Sequence, residues 1–550
     1  MNDALTSEKG GVTSRSRAHD RDGRRIRSGP RARQVRPSVD SPAIAPDDRP
    51  SEPGSRTNGA NSSASSLAAT PVTPNQATGH KESHRVTTAE KPRTVGELRA
   101  SGYRVLPVRE EMRKNLIAKI RSGEELFPGV FGYEETVIPH IVNAILAGQD
   151  IIFLGERGQA KSRIIRSLTS LLDDETPVLA GCEIAEDPFD PITRAGRDII
   201  EAEGDDAKLN WLRRDQRYGE KLATPDITIA DLIGEVDPIK VAEGKYLSDE
   251  LTIHYGLIPR TNRGIFCINE LPDLAERIQV GLLNIMEERD VQIRGYRIRL
   301  PLDVYVVASA NPEDYTNRGR IITPLKDRYG AQVRTHYPTK IDDEMDIMEA
   351  EHHPIPTDFN VVVPPYMKEI IAEISRLARK SPDVNQRSGV SVRASIANYE
   401  SLLANALRRA IITNDDVVVP RISDLPYVVP TLSGKVEFET VEEGREEQII
   451  DKLIQGAVVA VFNRQFNLGE LETIVARFKS GAAAEVGDMV PSAQYKALGA
   501  QIEGLPGALE KLNAKTPGEV AAATEFVLEG LHLNKRLNKD KVGGKSQYRG

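Results

Sequence analysis

The feature that most constrains this chain is a glycine-containing turn set between a short apolar run and an amphipathic stretch. Ile151–Leu154 reads as a buried strand, Gly155-Glu156-Arg157-Gly158-Gln159-Ala160-Lys161-Ser162 follows at once, and Ile164, Ile165, Leu168, Leu171 and Leu172 then mark one face of a helix. Strand, loop and helix in that order form the context of a P-loop. Its backbone N–H groups and the helix N-terminus surround phosphates, a Lys reaches the β- and γ-phosphates, and the following hydroxyl ligates Mg²⁺. The whole loop, Gly155, Glu156, Arg157, Gly158, Gln159, Ala160, Lys161 and Ser162, is therefore the expected nucleotide cradle. The pattern departs from the usual motif at Ala160, where glycine is common and a methyl group restricts how the backbone turns. The bland alternative is a strand-to-helix turn with an incidental Lys-Ser pair.

Two more apolar runs, Gly264–Ile268 and Val304–Ala308, resemble Ile151–Leu154 and predict further buried parallel strands. Ligands of open α/β sheets bind beyond the carboxyl ends of the strands. The residues just past these runs, Asn269-Glu270 and Asn311, are thus the next candidates. Glu270 suits a general base for an attacking water. Asn269 can accept a hydrogen bond from metal-bound water but brings no charge, so weaker Mg²⁺ binding and slow hydrolysis are expected. Asn311 offers an uncharged polar group for the terminal phosphate or the lytic water, although Asn-Pro by itself is only a turn signal.

These motifs, in this order and spacing, resemble the AAA+ clade that contains the MoxR ATPases and the magnesium chelatase ATPase subunit. The resemblance spans about Phe127 to Ala410 and includes the Ala-Lys-Ser ending of the loop. It implies an α/β fold: a P-loop AAA+ parallel-sheet core with a helical lid domain, preceded here by a disordered N-terminal tail. It implies ATP and Mg²⁺ as cofactors, with Lys161 and Ser162 as the Walker A pair, Asn269 and Glu270 as Walker B, and Asn311 as sensor 1. Arg328, in Leu325-Lys326-Asp327-Arg328, resembles the arginine finger that reaches a neighbouring subunit's ATP, and Arg393 resembles sensor 2 on the lid. Without that context Arg328 reads equally well as an ion pair with Asp327 or Asp343. The stretch Asp226–Pro259 resembles the family's insertion in helix 2, and Glu288–Asp303 reads as a hairpin around Arg294-Gly295. A ring, as in homo-hexamers of the family, and a separate von Willebrand A-type protein partner are implied as well.

Composition sets the remaining bounds. Residues 1–92 are crowded with Ser, Arg, Pro and Asp and lack the apolar surface to offset chain entropy, which predicts disorder. Core, lid and C-terminal segment are expected over residues 93–345, 346–470 and 471–550. Within the lid, 366–379, 393–413 and 446–466 carry helical periodicity, whereas 415–444 fits an extended connection. The last segment reads as helices ending in a basic tail. A net charge of −8 argues against bulk attraction to nucleic acid. Two cysteines, Cys182 and Cys267, give no disulfide framework and fit a reducing cytoplasm. No apolar run is long enough for a membrane span, and Asp3, Glu8, Asp20 and Asp22 break the acid-poor pattern of a transit peptide.

Two other classes stay open at the level of sequence. Arg289, Arg294, Arg297 and Arg299 on the hairpin could track a nucleic-acid backbone in a helicase-like motor, against the simpler reading of a solvated face. Asn269 also admits a nucleotide-controlled scaffold with little turnover. His352-His353 completes no recognised metal-ligand spacing with Glu349 and Glu351.

Overall fold

Five parallel strands carry the candidate loop. The computed structural model describes residues 91–242, 250–292, 299–311, 319–356, 358–439, 444–542 and 545–550. In it β1 (Ile151–Leu154), β2 (Tyr218–Leu222), β3 (Gly264–Asn269), β4 (Val304–Ala310) and β5 (Ala331–Arg334) lie side by side in the order β5-β1-β4-β3-β2. The three inner strands are buried at every position. That is why they read as unbroken apolar runs, since a parallel sheet is covered on both faces.

Side chains alternate between two layers, as the pleat requires. Ile152, Leu154, Phe266, Ile268, Val306 and Ala308 pack with Leu274, Ile278, Leu282 and Ile285. Ile151, Phe153, Ile265, Cys267, Tyr305 and Val307 face the opposite layer. There α1 (Val108–Ser122), α2 (Val137–Leu146) and α3 (Lys161–Ser167) contribute Met112, Leu116, Ile141, Ile145, Ile164 and Ile165. A separate short helix, Val95–Ala100, precedes α1, whose N-cap is Pro107. A buried ion pair fastens α1 to the start of β2. Arg217 donates from Nη1 and Nη2 to the two oxygens of Glu111 at 2.7 and 2.6 Å.

Asp290–Gln292 and Arg299–Pro301 pair antiparallel, as the hairpin reading expects. Arg294 and Arg297 of its turn lie outside the described residues, as do residues 1–90 of the expected tail and Pro312 beside Asn311.

The second layer of the molecule is helical. It contains α4 (Ile341–Glu351), α5 (Pro365–Ala378), α6 (Val392–Thr413), α7 (Arg445–Gln465) and α8 (Pro517–Leu533). One apolar core runs from Met348 through these helices to Tyr548, and Tyr366 of α5 stacks on Phe526 of α8 with ring centroids 4.4 Å apart. Two segments differ from the sequence reading. Within 415–444, expected as an extended connection, Ile422–Val428 and Val429–Ser433 are helical turns. Buried Asp424 holds them, accepting from Arg409 Nη2 at 2.8 Å, Asn405 Nδ2 at 2.7 Å and the Arg421 amide at 2.7 Å. The end of the chain, expected as a basic tail, forms β7 (Asn538–Val542) and β8 (Lys545–Arg549), which pair antiparallel and join β6 (Ala483–Val486). Tyr548 supplies the reason: it is buried, its hydroxyl donating to Glu529 of α8.

Among the described residues no helix is long and apolar enough to cross a membrane.

Candidate functional site

The loop after β1 is shaped by what surrounds it. The Gly155 amide donates to Ala310 O at 3.1 Å, continuing the sheet by one bond beyond Leu154. Gly158 has φ +74°, and a Cβ there would stand 1.9 Å from Ser391 Oγ at the start of α6, so both backbone shape and space require glycine. Ala160 takes φ +54°, a left-handed conformation that costs an L-residue about 1–2 kcal/mol. The loop therefore keeps its turn despite the missing glycine, at the expense of local strain.

Polar groups from three strand ends then meet. Lys161 is 8 % exposed, and its ammonium donates to Gly155 O, to Glu156 O at 2.8 Å and to Asn311 Oδ1 at 2.6 Å. Asn311, just past β4, donates from Nδ2 to Glu270 Oε2 at 2.8 Å. Glu270, just past β3, has φ +58°, and its backbone amide donates to Ser309 Oγ at 3.2 Å. An ammonium, an amide and a carboxylate are thus joined in one line.

Asn269 sits beside this line. Its Oδ1 accepts from Ser309 Oγ at 3.1 Å, and its Nδ2 donates to Glu220 of β2. Glu220 also receives Arg166 Nε and Nη2 at 2.9 and 3.0 Å and the Tyr218 hydroxyl at 2.9 Å. The Arg166 guanidinium holds the Glu220 carboxyl below the usual carboxylate range.

A cleft of about 620 Å³ opens between sheet and lid. Lys161, Ser162, Arg166, Asn269, Glu270 and Asn311 line its polar end, and Ile347, Val392, Arg393 and Ile396 come from the lid side. Ser162 and Arg393 are exposed into it. At the other end Tyr133 and His336 meet edge to face, with centroids 4.9 Å apart. Burial pushes the Tyr133 hydroxyl up to about 12, so it stays neutral as a donor near the carbonyls of Gln159 and His336. The loop is tied to the lid by Arg163 with Glu351 at 2.5 Å and by Arg157 with Glu437 at 3.9 Å.

The hydroxyl of Ser162, the amide oxygen of Asn269 and the nearby carboxylates form an all-oxygen donor set, which suits a hard cation such as Mg²⁺. Among the described residues no cluster of three His, Cys, Asp or Glu side chains forms a cage by itself.

Of the residues singled out from sequence, Gly158 to Ser162, Asn269, Glu270, Asn311 and Arg393 line one cleft. Arg328 does not line it. It pairs with Glu287, not with Asp327 or Asp343, and donates to Pro324 O at 2.8 Å. Arg289 is bound to Asp150, which removes one of the hairpin arginines from solvent-facing use. Sequence reading missed Arg166, Glu220, Ser309 and Tyr133. Arg166 stands one helical turn beyond Ser162, a spacing that puts both on one face and could have flagged it.

A parallel sheet in this strand order, a P-loop after β1 and polar residues just past β3 and β4 define the P-loop core of the AAA+ ATPase class. No family model matches the chain. It is 28% identical over 257 residues to an uncharacterized protein, YeaC, of Bacillus subtilis, which covers 43% of this chain and 74% of that one. It is 26% identical over 301 residues to magnesium-chelatase subunit ChlI of a Nostoc species, covering 52% and 75%. A structure of the BchI–BchD complex of magnesium chelatase aligns with 59% of the chain at 20% identity and a TM-score of 0.31, too loosely to add to these matches. Within the AAA+ class the chain is similar to magnesium-chelatase ATPase subunits.

Proposed function

We propose that the chain binds Mg²⁺·ATP in this cleft and hydrolyses it as a subunit of a ring, using the cycle to remodel or activate a protein partner. The convergence of Lys161, Asn311 and Glu270 from three separate strand ends carries the reading. Lys161 and the amides of Gly155 to Ser162 take the phosphates. Ser162 and Asn269 hold the hydrated Mg²⁺, whose charge offsets that of the phosphates. Glu270 accepts a proton from water as its oxygen adds to the terminal phosphorus and ADP leaves, with Asn311 orienting that water. Arg393 of the lid and Arg328 of an adjoining subunit balance the charge on the transferring group. An arginine that serves a neighbour has to lie away from its own cleft, and Arg328 does.

The likeness to a magnesium-chelatase subunit supports metal insertion as the work done. The resemblance to the magnesium-chelatase and MoxR clade supports a homo-hexameric ring acting with a separate von Willebrand A-type protein. Free Cys182 and Cys267 support a cytoplasmic location. A second reading, a nucleotide-controlled scaffold, draws on Asn269, whose uncharged amide is spent on Glu220.

The test is ATP hydrolysis by the full chain beside E270Q, with nucleotide binding by K161A as control. E270Q is expected to lose about 10²–10⁴-fold in turnover. Equal, background-level rates in wild type and E270Q would reject hydrolysis in favour of the scaffold. Sedimentation with and without ATP tests the ring.

A further inference from the structure

The family's acid is missing at position 269, yet the site is not short of a carboxylate. β2 runs parallel to β3 with Leu222 opposite Asn269 and Glu220 opposite Cys267, so residues 220, 222, 267 and 269 share one face of the sheet. A glutamate at 220 is long enough to reach forward along that face to the Asn269 amide, which it does. Its other contacts come from the Tyr218 hydroxyl and from Arg166, whose helix α3 begins with Lys161 and Ser162. The Glu220 carboxylate thus stands between the helix that presents the Ser162 hydroxyl and the strand end where an acid is expected. An aspartate at 269 would meet this carboxylate with like charge. An asparagine donates to it instead and leaves its own oxygen to Ser309. Without Glu220, Lys161 and Arg166 would face Glu270 alone, a cationic wall that disfavours a divalent ion.

We propose that Glu220 supplies the negative charge that Asn269 lacks, acting through the Asn269 amide and Arg166 as a positioning residue for hydrated Mg²⁺. This rests on the P-loop reading of the cleft. The charge then sits on β2 and the neutral oxygen on β3.

The experiment titrates Mg²⁺ into full-length protein with a fluorescent ATP analogue, starting in EDTA, and reads the Mg²⁺ concentration for half-maximal binding. E220Q is expected to raise that concentration about 10–100-fold, the usual effect of losing an outer-shell partner. Its metal-free nucleotide affinity should stay within about threefold of wild type, and E220Q/N269D should restore the Mg²⁺ dependence. N269D alone, in which Glu220 already provides the charge, should gain no more than about threefold. An unchanged half-point in E220Q, failure of the double variant to restore it, or a gain of about 100-fold in N269D alone overturns the proposal. Equal weakening with and without Mg²⁺ makes Glu220 a structural brace and overturns it too. The underlying reading fails separately: wild type would then bind no nucleotide, or K161A would bind as well as wild type.

Discussion

Asn311→Ala interrupts the line from Lys161 to Glu270 at its middle. Asn311 is 3 % exposed and makes one hydrogen bond to each ionised group, at 2.6 and 2.8 Å. Hydrogen bonds to charged partners contribute about 1.5–3 kcal/mol each. The two ends are not equivalent. Lys161 is buried, so water replaces its lost partner poorly and most of that contribution disappears. Glu270 is half-buried, and water recovers much of its share. The nucleotide-free protein should therefore lose about 2–4 kcal/mol. Denaturant unfolding followed by the fluorescence of the single tryptophan, Trp211, measures the loss. With saturating ATP the phosphates replace the amide as partner of Lys161, and the difference between variant and wild type should shrink. A loss below about 0.5 kcal/mol, the range of an ordinary surface change, would refute the coupling of Lys161 and Glu270 through Asn311.

Three further outcomes are expected. Arg217→Met leaves Glu111 without its buried cation and should cost about 3–5 kcal/mol in the same unfolding assay, whereas removing both charges in R217M/E111L should cost much less; equal losses would contradict the buried pair. Arg328→Ala should spare ATP binding and lower turnover of the assembled protein by about 10³-fold or more, with assembled-state turnover intact as the result that rejects the finger. Its contact with partly exposed Glu287 is worth at most about 1 kcal/mol, so folding should be unaffected. Burial pushes the Cys267 thiol up to about 12 and Cys182 to about 11, which keeps both protonated near pH 8. Alkylation of the folded protein should be slow and become fast on unfolding, and rapid labelling of Cys267 in the native state would contradict its place in the core.

The inner sheet was legible because burial on both faces leaves an unbroken apolar signature, and β1, β3 and β4 each carry one. The edge strands were not. Every residue of β2 is partly or fully exposed, and β5 buries only Val333, so both read as polar text. Missing β2 meant missing Glu220 and its carboxylate beside Asn269. The loop was legible because its chemistry is local in sequence. Asn311 was less so, since Asn-Pro marks a turn anywhere and only the pairing of β4 beside β1 brings it to Lys161. The terminal hairpin was hidden for a related reason: Lys- and Arg-rich residues look solvated until Tyr548 is seen beneath them.

The contact between Gly158 and Ser391 bears on how the molecule moves. A loop with no spare room against the capping residue of a long helix cannot change shape alone. Whatever enters the cleft must either fit the existing gap or tilt α6. Because α6 shares its packed interior with everything from Met348 to Tyr548, that tilt is inherited by the whole second layer, close-packed interiors being stiff. A tilt driven at that one glycine would carry the packed second layer with it, as a short lever arm drives a long one.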